Sequence, residues 1–444
     1  MSLNFNTRRD FLRTTLLGGA IGYSIPAFLL ETMNQLQAET LHSATAVSTG
    51  KDAPILVVIQ LAGGNDGLNT VVPYTNDFYF NARPGLKVDP LQVLKINDTL
   101  GFHPNLTGLQ KLYGAGNLAL VQGVGYPNPN RSHFRSTEIW HTGSDSDRNE
   151  KYGWIGKYFD SCCQGEDPTV GINIGQQSPQ AFSAKKPTGV SLSNPETYRF
   201  VSSDRDSGGE NSTESVFRQL NQMDHTPDNS DSNSGQTIQM IGGNTHFEGS
   251  PVDFLERTSL DAQVSSDQIL IVARKSKNSV DYPKNAFANE LKLIARLIGG
   301  GMSTRVYYTS QGGYDTHTNQ INSHNRLMSE LGDSLFSFCE DLKQQGNFGR
   351  VTILTFSEFG RRVAQNANGG TDHGAAAPLY VMGGQVKGGL YGKYPSLAPQ
   401  DLHDGDLVHQ VDFREVYAGI LEKTLKVSSN EILGKTFTPL NVFG

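Results

Sequence analysis

Several short clusters along this 444-residue chain hold residue types that can do chemistry together. Asn65 and Asp66 stand in Gly63-Gly64-Asn65-Asp66-Gly67, and Ser132 and His133 in Asn130-Arg131-Ser132-His133-Phe134. Asp315 and His317 stand in Gly312-Gly313-Tyr314-Asp315-Thr316-His317. Ser357 and Glu358 open Ser357-Glu358-Phe359-Gly360-Arg361-Arg362, and Asp372 and His373 lie in Gly369-Gly370-Thr371-Asp372-His373-Gly374. Carboxylates mixed with imidazoles suit Zn, Mn or Fe, whereas oxygen ligands alone would suit Mg or Ca. Each cluster also has a plainer use. Asp66 can be a turn former, and Asp315 or Ser132 can cap a helix. It is their joint occurrence that points to a metal. His324, seven residues after His317, can share a helical face with it and is a reserve ligand.

The elements that must position these clusters follow from hydrophobic pattern. Pro54 to Leu61 is a continuous apolar run rich in β-branched residues, the mark of a strand buried on both faces. Further strands are expected at Leu118 to Val124, Val170 to Ile174, Thr304 to Thr309, Val351 to Phe356 and Leu379 to Met382. Helices are expected at Asn105 to Tyr113, and where Phe287, Leu291, Ile294 and Ile298 recur at helical spacing. Leu327, Leu331, Leu335, Phe338 and Leu342 recur in the same way. Strands alternating with helices imply an α/β fold, a doubly wound and mostly parallel sheet with helices on both faces. In such sheets ligands bind outside the carboxyl ends of the strands. The clusters fall at those ends, with Asp372 and His373 just ahead of the last strand.

The first 46 residues are set apart. Thr7-Arg8-Arg9-Asp10-Phe11-Leu12-Arg13 followed by an apolar stretch from Leu16 to Leu30 has the layout of a twin-arginine signal peptide. Ala44-Thr45-Ala46 is a cleavage site of A-x-A type, with cleavage near Ala38 as the alternative. The expected destination is periplasmic or extracellular, the twin-arginine translocase is the partner during export, and no membrane span is expected after cleavage. About 400 residues then remain, read as one α/β domain over 47–444. A stretch rich in Ser, Asp, Asn and Gly near 202–236 is expected to be a mobile polar insertion. The net charge of −7 argues against nucleic acid as a partner. Three cysteines, two of them adjacent, give no disulfide framework. No G-x-S-x-G elbow, Walker A loop or H-E-x-x-H occurs, and the glycines at 63–67 do not spell a dinucleotide fingerprint.

Taken together, the twin-arginine start, Leu61-Ala62-Gly63-Gly64-Asn65-Asp66-Gly67, Arg131-Ser132-His133-Phe134, Tyr314-Asp315-Thr316-His317, Ser357-Glu358-Phe359-Gly360-Arg361, Gly370-Thr371-Asp372-His373-Gly374 and Asp412-Phe413-Arg414-Glu415-Val416-Tyr417 resemble the exported bacterial family called "domain of unknown function 1501". That family is similar, more remotely, to the alkaline phosphatase and sulfatase superfamily. The resemblance implies an alkaline-phosphatase-like fold and one or two divalent ions, Zn or Mn. It implies Asp315, His317 and His373 as ligands of one ion, and Asp66 and Glu358 as a second, weaker set or a base. It implies Ser132 as nucleophile, with Ser136 behind it, and Arg131 or Arg361 as balance for an anionic transition state.

The chain also departs from the superfamily. Phe359 stands where a second-metal histidine is expected, and the Asp315-x-His317 spacing is short. Cys162 and Cys163 lack the C/S-x-P-x-R setting of a sulfatase. Two readings follow. One is a metal-dependent hydrolase of phosphate or sulfate esters. The other is a non-catalytic binding protein that keeps the fold and acts on surface polymer or its assembly.

Overall fold

A computed structural model describes residues 53–163, 167–186, 188–196 and 264–443. The export segment and the polar insertion near 202–236 lie outside the described residues. In chain order the strands are β1 (Ile55–Leu61), β2 (Val71–Val72), β3 (Leu94–Lys95), β4 (Gly101–Phe102), β5 (Leu118–Gly125) and β6 (Gly171–Ile174). They continue with β7 (Val190–Leu192), β8 (Val306–Gln311), β9 (Val351–Phe356), β10 (Ala377–Gly383), β11 (Gly389–Tyr391) and β12 (Val411–Asp412). The large sheet runs β11-β5-β10-β9-β1-β8-β6-β7, with β12 also on β5, and β2, β4 and β3 form a small second sheet. In the large sheet only β10 opposes its neighbours. The expected α/β, mostly parallel class is therefore the observed one. Short edge strands such as β7, β11 and β12 were not foreseen, because two or three residues leave no readable alternation.

The apolar run of β1 divides between two cores by its pleat. Ile55, Val57, Ile59 and Leu61 belong to one, with Leu109, Leu291, Ile294, Leu331 and Leu335 from the helices Thr107–Gly114, Ala286–Gly299 and Gln320–Gln344. Leu56 and Val58 belong to the other, with Ile139, Tyr158 and Tyr417 from the helices His133–Thr142, Trp154–Cys162 and Phe413–Ile420. Helices thus cover both faces, and β1 and β9 have no wet side. Cys162 and Cys163 are bridged to each other, and Cys339 is free and buried. Among the described residues no helix is long and apolar enough to cross a membrane.

Strand direction explains how five distant loops meet. β1, β5, β8 and β9 all deliver their carboxyl ends to one edge, where Leu61 pairs with Gln311 and Gln60 with Phe356. Because β10 runs the other way, its amino end lies at that same edge, with Ala377 opposite Val124. The segment leading into β10 brings Asp372 and His373 there.

Candidate metal centre

The floor of the site is built by the turns after β1 and β9. Ser357 Oγ donates to Leu61 O at 2.7 Å and accepts from Asn65 N at 2.8 Å, tying the two strand ends together. Gly63 and Gly64 hold φ of +118° and +78°. A side chain at Gly63 would run into the backbone at Asp315, and one at Gly64 into the Phe359 ring. Two glycines are needed for this close approach.

Glu358 is buried. Its Oε1 accepts from Gly63 N and from His133 Nδ1, each at 2.8 Å. His133 is the first residue of the helix His133–Thr142. Its ring stands 4.4 Å from that of His373 and 4.9 Å from that of Phe359. His373 Nδ1 donates to the Arg131 carbonyl at 2.8 Å. His317 Nδ1 lies 3.2 Å from Asp372 Oδ1, which also accepts from Asn366 Nδ2 at 3.1 Å.

The partners assign the tautomers. Carboxylates and carbonyls only accept, so each imidazole donates its Nδ1–H and turns a bare Nε2 inward when neutral. These nitrogens converge on Asp315. His317 Nε2 is 3.0 Å and His373 Nε2 3.3 Å from Asp315 Oδ1. His133 Nε2 is 3.6 Å from Asp315 Oδ2 and has no hydrogen-bond partner, although it is buried. His317 Nε2 and His373 Nε2 face each other at 2.9 Å. Tetrahedral ligands about 2.1 Å from a shared zinc stand roughly 3.4 Å apart. The residues present fit an ion: the ligand atoms of His133, Asp315 and His373 lie within 4.8 Å of one another, with His317 beside them. Imidazoles anchored through Nδ1 to carboxylate or carbonyl are the usual outer support of a metal ligand.

Electrostatics favour a cation here. Three carboxylates, Asp315, Glu358 and Asp372, gather here; Arg361 donates to Asp315 Oδ1 at 2.7 Å, and the charge of Arg362 acts on Asp372. Burial acts to raise the Asp315 pKa, but the hydrogen bond and charge of Arg361 hold it below the usual range. The hydrogen bond to Glu358 outweighs burial and raises that of His133. Burial lowers that of His373, against the Arg131 carbonyl and Asp315. Half of the Asp315 side chain remains exposed, so the cluster is open to solvent.

The site brings together Asp315, His317 and His373 from the expected set and adds His133, which sequence reading collected beside Ser132 without making it a ligand. Other expectations are corrected. Asp66 does not join: its carboxylate is buried against Arg83, with Nη1 at 2.8 and 2.6 Å from its two oxygens. Glu358 orients His133 instead of offering a free carboxylate. Arg361 is enclosed, with Nε on Gly64 O at 2.7 Å, Nη1 on Thr371 O at 2.9 Å and Nη2 on Asp315, Tyr314 O and Gly63 O. It positions Asp315, and its side chain is fully buried away from an incoming anion. Arg131 Nε pairs with Asp406 Oδ2 at 2.7 Å. Ser136 is buried, its hydroxyl donating to Glu358 O and lying 2.8 Å from Tyr126 Oη. Ser132 is exposed at the N-cap position, and its side chain makes no cap hydrogen bond. His324, the reserve ligand, packs on His103 at 5.5 Å between ring centres, on the Asp66 side.

Comparison with known proteins places the chain in a family without giving it a chemistry. Among solved structures, Ps i-CgsB in complex with k-i-k-neocarrahexaose is 11% identical, with 86% of this chain and 75% of that chain covered and a TM-score of 0.38. A protein in the alkaline phosphatase superfamily from Vibrio parahaemolyticus is 9% identical, with 93% and 78% covered and a TM-score of 0.38. The C-terminal periplasmic domain of EcEptC from Escherichia coli, in complex with Zn, is 9% identical, with 77% of each chain covered and a TM-score of 0.34. No curated protein matches the sequence. A family model described as "Protein of unknown function (DUF1501)" matches residues 53–433, the span that carries every residue of the metal cluster, and the chain belongs to that family.

Proposed function

We propose that this protein is an exported, divalent-metal-dependent hydrolase of phosphate or sulfate esters. The observation that carries the reading is the convergence of three imidazole Nε2 atoms on Asp315, each ring fixed through Nδ1 by Glu358, Asp372 or the Arg131 carbonyl. Zn or Mn suits this donor set. Bound there, the ion would polarise an ester oxygen and withdraw charge from it.

The chain's own residues divide the remaining work. His133, Asp315, His317 and His373 hold the ion. Glu358, Asp372 and the Arg131 carbonyl fix the rings, and Arg361 fixes Asp315. Ser132 is the candidate nucleophile: its hydroxyl is exposed, uncommitted to a cap, and one residue from His133. The amino end of its helix adds a positive partial charge favourable to an anionic group. The twin-arginine motif supports export, and replacing Arg8 and Arg9 by Lys should leave precursor in the cytoplasm. Unchanged periplasmic yield in that variant would reject the pathway.

One observation favours the second reading, a non-catalytic protein that binds or assembles surface polymer. The arginines expected to balance an anion, Arg131 and Arg361, are both held by protein carboxylates. A panel of phosphate monoesters, phosphate diesters and sulfate esters decides between the two, run on wild type with Zn, Mn and Mg in turn. Turnover of any ester by wild type, lost in Asp315→Ala, supports the hydrolase. No turnover with any metal makes the binding reading the better one.

A further inference from the structure

We infer that this protein takes one divalent ion and not two, because the guanidinium of Arg83 already occupies the cationic position beside Asp66. The inference rests on the reading of His133, Asp315, His317 and His373 as the ion site.

The side chains of Asp66 and Arg83 are both fully buried. Arg83 Nη1 reaches both carboxylate oxygens, Gln320 Nε2 donates to Oδ2, and Asn69 N–H donates to Oδ1 at 3.4 Å. The guanidinium is held from its far side as well. Its Nε donates to Val363 O and its Nη2 to Arg362 O, both at 2.8 Å, and Nη1 also meets Asn69 Oδ1 at 2.9 Å. An ion arriving at Asp66 would have to remove these donors and leave a buried guanidinium with no counter-charge. Breaking a buried pair in this way is strongly unfavourable.

Glu358, the other member of the expected second set, is buried, and its Oε2 lies 3.4 Å from Ser357 Oγ. Its Oε1 carries two hydrogen bonds, and only 2% of the residue is exposed. Phe359 meanwhile fills the space beside His133 and His373 with an apolar ring. One group argues the other way: His324 Nε2, buried near Asp66, has no hydrogen-bond partner. It is the ligand that a second ion would recruit, so it belongs in the test.

The experiment counts ions. Metal-stripped protein purified from the periplasm is loaded with excess Zn²⁺ or Mn²⁺, freed of unbound metal by gel filtration, and measured by elemental mass spectrometry and by calorimetric titration. The expected count is one per chain in wild type, still one in Asp66→Asn and in His324→Gln, and none in Asp315→Asn. Asp66→Asn should also melt at a lower temperature. Two ions in wild type, or the loss of one in Asp66→Asn or His324→Gln, would overturn the inference and leave the ion site standing. No ion in wild type would overturn the site itself and the count with it. If Asp66→Asn does not fold, the wild-type count still decides.

Discussion

Two groups of polar residues sit at the same edge of the same sheet, each around a strand-end aspartate paired with an arginine, and they are finished in opposite ways. In the first, Asp315 and three imidazoles turn their acceptors toward one another, and His133 Nε2 has no partner. In the second, Asp66, Arg83, Asn69, Gln320, Thr371 and Thr316 form a closed network. Buried polar groups normally find partners, so the buried, unpartnered His133 Nε2 converging with other acceptors is the exception that asks for a cation. The contrast teaches that residue type and strand-end position do not separate a binding site from a rivet. What separates them is that both Asp66 oxygens already take donors from Arg83, Gln320 and Asn69, whereas the imidazole Nε2 atoms around Asp315 meet only acceptors.

The largest expected effect lies in the closed group. Arg83→Met keeps an unbranched stem but removes the guanidinium, which leaves the Asp66 carboxylate buried without its cation. Loss of one partner of such a pair costs about 3–5 kcal/mol. Chemical denaturation should show that loss while the folded fraction keeps its ion. A cost below about 1 kcal/mol would mean that the two groups are less different than their hydrogen bonds indicate.

Acid should separate buried histidines from those of the site. His141 is fully buried with Nε2 2.9 Å from Tyr308 Oη, and burial pushes its pKa down from 6.5 to about 4. His103 is pushed down to about 3 by burial and by nearby His324. In both cases the unfolded chain binds a proton that the folded chain refuses. Stability is therefore complete above about pH 6.5 and is lost as pH falls toward 4. His141 alone accounts for about 3 kcal/mol of that loss. His141→Gln, assayed by denaturation between pH 7 and 4, should flatten the slope; an unchanged slope would assign the acid sensitivity elsewhere.

Smaller effects come from the groups that aim the ligands. Glu358→Gln and Asp372→Asn leave the ligand atoms in place but weaken the hold on His133 and His317 Nδ1–H. Outer-shell changes of this kind weaken ion affinity about 10–100-fold, or roughly 1.4–2.7 kcal/mol. Calorimetric titration should show weaker binding with the count still at one. Loss of all binding in a folded Glu358→Gln would instead make Glu358 a ligand.

The pattern of the sheet was largely legible because β1, β5 and β9 are long and apolar on both faces. The reversal of β10 was not, since strand direction depends on the path of the chain between strands and not on the strand's own residues. The meeting of Asp315, His317 and His373 was legible from strand ends and resemblance. The place of Asp66 was not, because its partner Arg83 lies in an unremarkable Asn81-Ala82-Arg83 stretch with no motif around it. His133 was visible in Arg131-Ser132-His133-Phe134, but the neighbouring serine drew the chemical reading. A signal was present: a histidine at the first residue of a helix projects back toward the strand end, where the other ligands collect.

The smallest expected effect on stability is also the sharpest test of chemistry. Ser132 stands at the N-cap, and an N-cap side chain that bonds to the helix contributes about 1 kcal/mol. Here the side chain makes no such bond, and the local turn is set by the Ser132 N–H donating to Asn130 Oδ1 at 2.8 Å. Alanine keeps that N–H, so Ser132→Ala should change stability by no more than about 0.5 kcal/mol. Turnover should respond very differently. Removal of a nucleophile lowers kcat by several orders of magnitude without altering the fold. The pair of measurements, unfolding free energy and turnover on whichever ester wild type accepts, separates the three uses of this residue. Intact stability with turnover lost identifies a nucleophile. A stability loss near 1 kcal/mol with turnover kept identifies a cap that forms in solution. Both kept leaves the ion cluster to act without Ser132 and moves the search for the attacking group to its other neighbours.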